Sequence, residues 1–367
     1  MVKVLNSGIS SFIQALENKR FYCFGSGQQA ERFFEKYSGL GLESRLVGFI
    51  DNDLAKNGRK KIINKKEFLI MSYSHFSKIH EKHDIVLITS IYWKEMLEQM
   101  DNDIHMNGTV CYLEILLDNT YETTQFEPYK YADVPLIPKV IHYCWFGGKN
   151  IPPQLAEYMQ TWKYYCPDYE IVRWDETNYD TKKSKFVSQA YEAGKWAFVS
   201  DYARLDILEQ FGGIYLDTDV ELIKSLDELL YNRMFCGFEQ NNYIGFGPGV
   251  GAIKGENIIG QIRELYDSMN FKNGRGEYNR TSCSVYQTQV MKQKGFVLNN
   301  RFQCRDGVVV YPSEVLAPAF WNTKDITVTN HTYAIHHYAS TWWENMETFQ
   351  AENYKNDIRE LKKRIEK

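Results

Sequence analysis

The sequence lacks the features that mark membrane-spanning, secreted and nucleic-acid-binding proteins. It has no run of about 18 apolar residues, so we expect no spanning helix, and its start lacks the basic and apolar regions of a signal peptide. Seven cysteines are scattered without a Cys-x-x-Cys pair, which favours reduced thiols in a cytosolic protein over disulfides or a cysteine-based zinc site. Acidic residues (47) outnumber basic ones (43), and the formal charge of −4 argues against binding along a nucleic-acid backbone.

The amino-acid composition is typical of a globular protein, and the sequence divides into two parts with different hydrophobic patterns. The 367 residues are 44% hydrophobic and 25% charged, which suffices to bury cores, and the length favours two domains. Residues 119–138 carry prolines with little periodicity, so we predict a linker between a first domain over 1–118 and a second over 139–343. Residues 344–367 are charged with a narrow apolar stripe and are predicted to form a C-terminal helix.

The first domain begins with a strand, a glycine-bearing turn and a helix. The apolar segments 21–24, 46–50 and 85–89 are separated by helical patterns, which predicts a small Rossmann-like α/β domain with a parallel sheet. The turn Gly25-Ser26-Gly27-Gln28-Gln29-Ala30, with Asp51 downstream, is typical of a dinucleotide-binding half, where glycines let the backbone approach a pyrophosphate. The segment is short for a full site, so a domain used for structure, contact or regulation is the alternative to bound NAD.

A predicted helix that begins after Ser200 directs two charged groups at its apolar side. Gly212-Gly213 ends this helix. On a helical wheel Asp201 and Arg204 lie one turn apart on the apolar face, whereas Asp206 points away. A buried carboxylate and guanidinium are costly unless paired or given a ligand. They are therefore either a structural ion pair or the lining of a pocket for a substrate with hydroxyls or phosphate.

An acidic doublet follows the next strand. Residues 214–216 are predicted to form that strand, and Asp217-Thr218-Asp219 comes at its end. In an extended chain the two carboxylates face the same side about 7 Å apart, and they repel unless a positive group lies between or beside them. Mg²⁺ or Mn²⁺ fills that role and keeps open positions for a diphosphate. A bare Asp-x-Asp is usually a solvated turn, but the apolar strand and the charged pair before it favour a metal site.

Two further segments carry aromatic residues and histidines. Residues 137–148 form a predicted strand with Trp145 near its carboxyl end, where open α/β sheets bind ligands and an indole can stack on a base. Residues 336–343, His-His-Tyr-Ala-Ser-Thr-Trp-Trp, offer an imidazole that can complete a metal shell. The alternatives are a core tryptophan and a structural histidine.

In this order the segments resemble the DXD-containing sugar transferases of glycosyltransferase family 32. The resemblance covers roughly residues 137–342 and rests on residues 137–148, on Ser200-Asp201 with Arg204, and on residues 212–219. It implies a GT-A type α/β domain, preceded here by the Rossmann-like domain, that holds a nucleotide-diphospho-sugar at the carboxyl edge of its sheet. It also implies Mn²⁺ or Mg²⁺ as cofactor and retention of configuration at the anomeric carbon.

The resemblance implies roles for individual residues. The implied nucleotide-sugar contacts are Trp145, Tyr215, Asp217, Ser340 and Trp342. The implied metal ligands are Asp217, Asp219 and His337. Asp201 and Arg204 would be the catalytic pair, which meets the sugar hydroxyls and the phosphate.

The predicted function is a metal-dependent retaining glycosyltransferase that moves a hexose, UDP-linked by expectation, to a glycan or lipid-linked glycan. The family implies bacterial capsular or other surface polysaccharide synthesis, by a cytoplasmic protein peripheral at the inner membrane face. GDP-mannose is the alternative donor. A non-catalytic nucleotide-sugar-binding module and a nicotinamide oxidoreductase are alternatives from other classes. No nucleic-acid partner is expected, and the nucleophile, if any, and the oligomeric state stay open.

Three polar residues are expected on the acceptor side, namely Glu239, Asn241 and Gln287. Residues 245–251, rich in glycine, are predicted to be a flexible loop near the acceptor, with a turn-rich crossover as the alternative.

Overall fold

The computed structural model describes residues 1–122, 129–321, 323–339 and 345–365. The chain divides into two compact units, the first made of residues 1–122, 297–299 and 353–367 and the second of residues 123–296 and 300–352. Within the described residues, no helix combines the length and the apolar character needed to cross a bilayer.

The first unit is a mainly parallel sheet with helices between its strands. The strands are β1 (Lys3–Val4), β2 (Phe21–Phe24), β3 (Leu46–Asp51), β4 (Lys60–Ile63), β5 (Lys66–Ser72), β6 (Ile85–Ile88) and β7 (Val110–Leu113). The helices are α1 (Ile9–Ala15), α2 (Gln28–Lys36), α3 (Tyr73–Ile79), α4 (Trp93–Asp101) and α5 (Glu114–Leu117). The strand order is β1-β7-β6-β2-β3-β5-β4, and only the β4–β5 pair is antiparallel.

The parallel sheet expected from the three apolar segments is present. Every residue of β2 and β6 is buried, because strands that are covered on both faces read as continuous apolar runs. The last helix, α12 (Asn345–Ile365), belongs to the same unit from Asn353 onward. Its Ile358 and Leu361 are fully buried, and Leu361 joins the apolar cluster around β2 and β6. The apolar stripe seen in the sequence is therefore the side of this helix that packs.

The second unit is built on a mixed sheet. Its strands are β8 (Val140–Cys144), β9 (Glu170–Trp174), β10 (Gly213–Tyr215), β11 (Val220–Leu222), β12 (Met234–Phe238), β13 (Ile244–Gly245), β14 (Val250–Ala252), β15 (Gln303–Arg305), β16 (Val308–Tyr311) and β17 (Ala334–His336). Its helices are α6 (Pro153–Tyr165), α7 (Lys185–Glu192), α8 (Trp196–Phe211), α9 (Asn257–Asp267), α10 (Cys283–Gln293) and α11 (Ser313–Leu316). The main sheet has the order β15-β16-β12-β14-β10-β8-β9, β13 pairs with β12, and β11 pairs with β17 separately.

The strand directions bring several strand ends together at one edge of this sheet. β8, β9 and β10 are mutually parallel, and β14 is antiparallel to both β10 and β12. β12 and its parallel neighbour β16 therefore run in the same direction as β10. The carboxyl ends of five strands consequently meet at one edge, which is where α/β sheets bind ligands. The predicted α/β class is confirmed, and the second unit has a GT-A-like arrangement.

Helix α8 differs from its prediction in two respects. It begins at Trp196, one turn earlier than expected, so Ser200 is not its N-cap and instead donates from Oγ to the Trp196 carbonyl at 3.2 Å. Asp206 does not face solvent: it is 3% exposed, and both its oxygens lie 2.6 Å from Lys183 Nζ. Helices α7 and α9 pack against α8 and enclose it around Asp206, whereas Gln210 and Phe211 at the end of the helix are exposed.

The predicted end of α8 is confirmed. Gly212 has φ of 69°, and a side chain there would place Cβ 2.7 Å from the backbone nitrogen of Lys254. Only glycine combines this left-handed backbone with so close an approach. The chain therefore turns directly from α8 into β10, and the acidic doublet follows this strand.

Candidate active site

The acidic doublet lies at the carboxyl edge of the sheet, just beyond β10. The strand ends at Tyr215, which is 1% exposed, and Asp217 follows two residues later. The Asp217 backbone nitrogen donates to the Gly247 carbonyl at 3.1 Å, so the doublet is tied to the segment before β14. The Asp-x-Asp is therefore held by the fold and is not a solvated turn.

Arg204 of α8 reaches the same place. Its Nη2 lies 3.0 Å from Asp201 Oδ1 and 3.1 Å from Asp217 Oδ1. The guanidinium carbon stands 4.8 Å from the centroid of the Tyr215 ring, and the Tyr215 hydroxyl donates to Asp217 Oδ1 at 3.0 Å. Four residues predicted for the site, Asp201, Arg204, Tyr215 and Asp217, thus form one network.

Arg204 has one donor that the described residues leave unused. The side chain is 4% exposed, and its Nη1 has no hydrogen-bond partner in the part of the chain that the structure describes. A buried guanidinium nitrogen without an acceptor costs free energy. A ligand oxygen, such as that of a phosphate, would satisfy it.

Burial and neighbouring groups shift the pKa values of two acids in this site. It raises the pKa of Asp201 from its ordinary value of 3.8 to about 6, although the charge of Arg204 opposes the shift. Burial would also raise the pKa of Asp219, but the charge and hydrogen bond of His336 lower it to about 2. Above pH 7 both acids are therefore ionised, at an energetic cost for Asp201.

Asp217, Asp219 and His336 together can hold a metal ion. One ligand atom from each lies within 4.8 Å of the others. His336 Nε2 is 3.1 Å from Asp219 Oδ1, while its buried Nδ1 has no partner among the described residues. Two carboxylates suit Mg²⁺ or Mn²⁺, and the imidazole favours a first-row transition metal, which within this pair is Mn²⁺. The donor set therefore fits the cation that the sequence predicts.

The histidine at this cluster is His336, and the assignment of His337 as a metal ligand is corrected. β17 pairs antiparallel with β11, which places His336 opposite Val220, directly after Asp219. Successive side chains of an extended chain point to opposite faces, so the next residue turns away. His337 Nε2 lies 2.8 Å from Glu221 Oε2, and its ring stacks on Tyr158 with centroids 4.0 Å apart. Its contribution to the cluster is a backbone hydrogen bond to the Asp219 carbonyl at 3.0 Å.

Of three further predicted nucleotide contacts, one stands apart from this network and two cannot be placed in it. Trp145 follows β8 at the same edge, but it packs against the core and its Nε1 donates to the Lys149 carbonyl at 2.6 Å. Ser340 and Trp342 lie outside the described residues. The roles assigned to these three residues stay predictions.

The expected acceptor-side loop is a paired and buried segment. Residues 244–251 include β13 and β14, and all are buried. Gln287 of α10, itself fully buried, accepts from the Phe246 backbone nitrogen at 3.0 Å, and Thr288 accepts from that of Ile244 at 2.9 Å. Gln287 therefore anchors this segment through Oε1. The expectation of a flexible loop is wrong, since β12 and β14 hold both of its ends in the sheet.

The glycine-bearing turn of the first unit is engaged by its own chain. Asp51 accepts hydrogen bonds from the Ser26 backbone nitrogen at 3.1 Å and from the Ser26 hydroxyl. Lys56 Nζ also lies 2.9 Å from the Asp51 carboxylate. The acid that would meet a ribose in a dinucleotide site thus closes the turn itself.

Comparisons with known proteins converge on the same region. The family model for the glycosyltransferase sugar-binding region containing the DXD motif matches residues 152–235. These residues include α8 and the Asp-x-Asp. The chain carries a DXD-type glycosyltransferase region. The predicted resemblance to DXD-containing glycosyltransferases is thereby confirmed.

Curated relatives share part of this region. The inositol phosphoceramide mannosyltransferase 3 of Schizosaccharomyces pombe is 32% identical over 126 residues, which are 31% of this chain and 34% of that protein. The mannosyl phosphorylinositol ceramide synthase SUR1 of Saccharomyces cerevisiae is 31% identical over 126 residues, 32% of this chain and 33% of that protein. The chain thus spans about a third of the length of these relatives.

Among solved structures, the PaToxG glycosyltransferase aligns at 22% identity with a TM-score of 0.37, over 43% of this chain and 69% of that one. So low a score shows only a distant likeness.

Proposed function

We propose that this chain is a metal-dependent, retaining glycosyltransferase that moves a hexose from a nucleotide sugar to a glycan or lipid-linked glycan. The observation that carries the proposal is the convergence of an Asp-Asp-His donor set with a buried arginine whose Nη1 has no partner among the described residues. A cation site beside an unsatisfied guanidinium suits a diphosphate. A binding module would gain little from a cation placed where a leaving group develops charge.

Within this proposal each residue of the network has a task. Asp217, Asp219 and His336 would hold Mn²⁺ or Mg²⁺, which when bound would stabilise negative charge on the departing diphosphate. Arg204 would offer Nη1 to a phosphate oxygen from an orientation that Asp201 and Asp217 already set. Preorganised donors of this kind need no rearrangement as the leaving group takes up charge. Asp201 would accept hydrogen bonds from sugar hydroxyls.

The names of the relatives favour mannose as the transferred sugar. Both proteins compared above are named for mannosyl transfer to inositol phosphoceramide. This supports the GDP-mannose alternative, beside the UDP-hexose expected from the sequence. The lipid-linked glycan acceptor, surface polysaccharide synthesis and a cytoplasmic location at the inner membrane face remain part of the proposal.

A donor panel tests the proposal. Hydrolysis or transfer is measured with UDP-glucose, UDP-galactose and GDP-mannose, each with Mn²⁺, with Mg²⁺ and with a chelator. We expect one donor to be turned over only with a divalent cation, and Asp219→Asn to lose at least about 100-fold in turnover. Full turnover by Asp219→Asn, or turnover that a chelator does not affect, would overturn the metal-dependent mechanism.

A further inference from the structure

A further acidic side chain, Glu239, lies at the same sheet edge, and no described lysine, arginine or histidine forms an ion pair with it. It directly follows β12, whose carboxyl end meets that of β10. Its carboxylate lies against Gly245, and the carboxylate of Asp217 lies against Gly247, two residues further along the same segment. The charges of His336, Asp217 and Arg204 also influence the pKa of Glu239. Glu239 therefore lies close to the cluster.

Three other enclosed acids have the cationic partner that Glu239 lacks among the described residues. Asp201 lies 3.0 Å from Arg204, Asp219 lies 3.1 Å from His336, and Glu256 lies 3.0 Å from Arg233. Among the described residues no lysine, arginine or histidine forms such a pair with Glu239. An enclosed carboxylate without a counter-charge is costly, so a protein keeps one where a ligand supplies its hydrogen bonds.

The backbone around Glu239 is shaped to hold this carboxylate in place. Its nitrogen donates to the Tyr243 carbonyl at 2.8 Å, which closes the hairpin between β12 and β13. Its carboxylate lies so close to Gly245 that a Cβ at that position would be 2.7 Å from Oε1. The hairpin thus holds the Glu239 side chain against the backbone of Gly245, which has no side chain.

Arg204 and Glu239 are complementary to one kind of molecule. Arg204 Nη1 has no acceptor among the described residues. The Glu239 carboxylate has a hydrogen bond with the Asn241 side chain, and its remaining lone pairs can accept further donors. A sugar joined to a phosphate offers acceptors at the phosphate and hydroxyl donors at the ring. We infer that Glu239 is a sugar-binding residue that accepts hydrogen bonds from hydroxyls of the transferred hexose, an assignment that rests on the proposed function.

The test compares binding of the nucleotide with binding of the nucleotide sugar. Dissociation constants are measured with Mn²⁺ for UDP, UDP-glucose, GDP and GDP-mannose, in the parent chain and in Glu239→Gln. The glutamine side chain has nearly the same shape as that of glutamate but carries no charge. Charge-assisted hydrogen bonds predict that the nucleotide sugar binds about 10-fold or more weakly, while the matching nucleoside diphosphate changes less than about 3-fold.

A matched control separates this role from a structural one. Glu256→Gln also removes an enclosed carboxylate, paired with Arg233, and should lower the melting temperature without changing the ratio of the two dissociation constants. If Glu239→Gln does not fold, Glu239→Asp, which keeps the charge on a shorter side chain, should show the same selective loss.

The outcomes distinguish a failure of the proposed function from a failure of the assignment of Glu239 alone. If the parent chain binds none of the four compounds, the proposed function itself fails and this assignment with it. If the parent binds a nucleotide sugar and the Glu239 variant retains the parent ratio, or weakens both ligands equally, only the assignment of Glu239 is overturned.

Discussion

The α-carbon of Gly247 lies directly against the carboxylate of Asp217. A Cβ built on Gly247 would be 2.2 Å from Asp217 Oδ2 and 3.4 Å from Arg204 Nη1. No side chain fits there without moving the acid, so glycine at this position is a condition for the geometry of the doublet.

Gly247→Ala is therefore expected to remove activity by displacing Asp217. The methyl group needs more than 1 Å of movement to reach an ordinary contact, which would misplace a metal ligand and the partner of Arg204. We expect turnover and Mn²⁺ affinity each to fall by at least about 100-fold, because small misplacements at a reacting centre have effects of this size.

The control for this substitution is Gly274→Ala, where a Cβ would meet no atom within 4 Å and φ is not positive. It should leave both quantities unchanged. Full activity in Gly247→Ala would show that the position of Asp217 has no part in turnover.

Asp201→Asn separates a functional pair from a structural one. Because burial raises the pKa of Asp201 to about 6, the acid holds its proton more tightly in the fold than in the unfolded chain. Its ionisation therefore lowers stability as pH rises from about 4 to about 6, and the cost stays constant at higher pH. We expect the melting temperature of Asp201→Asn at pH 8 to be equal to or higher than that of the parent, because Arg204 still has its ion pair with Asp217. Turnover should fall by at least about 100-fold.

The comparison variant is Asp206→Asn, on the same helix. Both oxygens of Asp206 bind Lys183, so this change should lower the melting temperature with little effect on turnover. A large loss of stability in Asp201→Asn alone would mean that Asp201 and Arg204 are a structural ion pair.

The two adjacent histidines should respond differently to substitution. His336→Gln removes an imidazole from the cluster and is expected to weaken Mn²⁺ binding by about 10-fold or more, whereas His337→Gln, beside Glu221, should change it by less than about 3-fold. Mn²⁺ titrations followed by thermal shift or electron paramagnetic resonance measure both. Equal losses would remove His336 from the metal site.

The same histidine predicts how metal binding depends on pH. Burial disfavours the charged ring, but Asp219 prevails and raises the pKa of His336 above its ordinary value of 6.5. The protonated ring cannot bind metal, so Mn²⁺ affinity should rise with pH through this raised pKa and then level off. In His336→Gln this rise should flatten.

In the first unit, Asp51 is predicted to stabilise the turn it closes. Burial would raise the pKa of Asp51, but hydrogen bonds from Ser26, Asp53 and Lys56 lower it overall. The stabilisation is therefore present above the ordinary value of 3.8 and is lost as pH falls through the lowered pKa. Thermal unfolding should show Asp51→Asn to be less stable than the parent at pH 7, with a difference that shrinks below about pH 4.

A ligand assay tests the alternative use of that turn. Since Asp51 and Lys56 already satisfy each other, we expect no change in NADH fluorescence with the parent chain. Saturable binding would instead show that the turn opens for a dinucleotide.

The parts of the site predicted from sequence are those encoded within one short segment. Asp201 and Arg204 are three residues apart on one helix, and Asp217 and Asp219 are two apart after one strand, so local periodicity places each pair. The parallel strands of the first unit are recognisable for the same reason, because an apolar run is a local signal.

The parts that could not be predicted depend on pairing between distant segments. The choice between His336 and His337 is set by the register of β17 against β11, more than a hundred residues earlier. Burial of Asp206 follows from helices α7 and α9, which a single helical wheel does not contain. The buried state of residues 244–251 follows from Gln287 and Thr288 on α10. Each needs tertiary contacts that no local pattern records.

The pairing of β11 with β17 also bears on the order in which the protein matures. The residues matched by the family model end at 235 and so include both acids of the doublet but not His336. During synthesis on the ribosome, the two carboxylates emerge about a hundred residues before the imidazole that would complete their proposed coordination set. Binding of the cation would therefore be a late event, which waits for β17, the last strand among the described residues, to pair with β11.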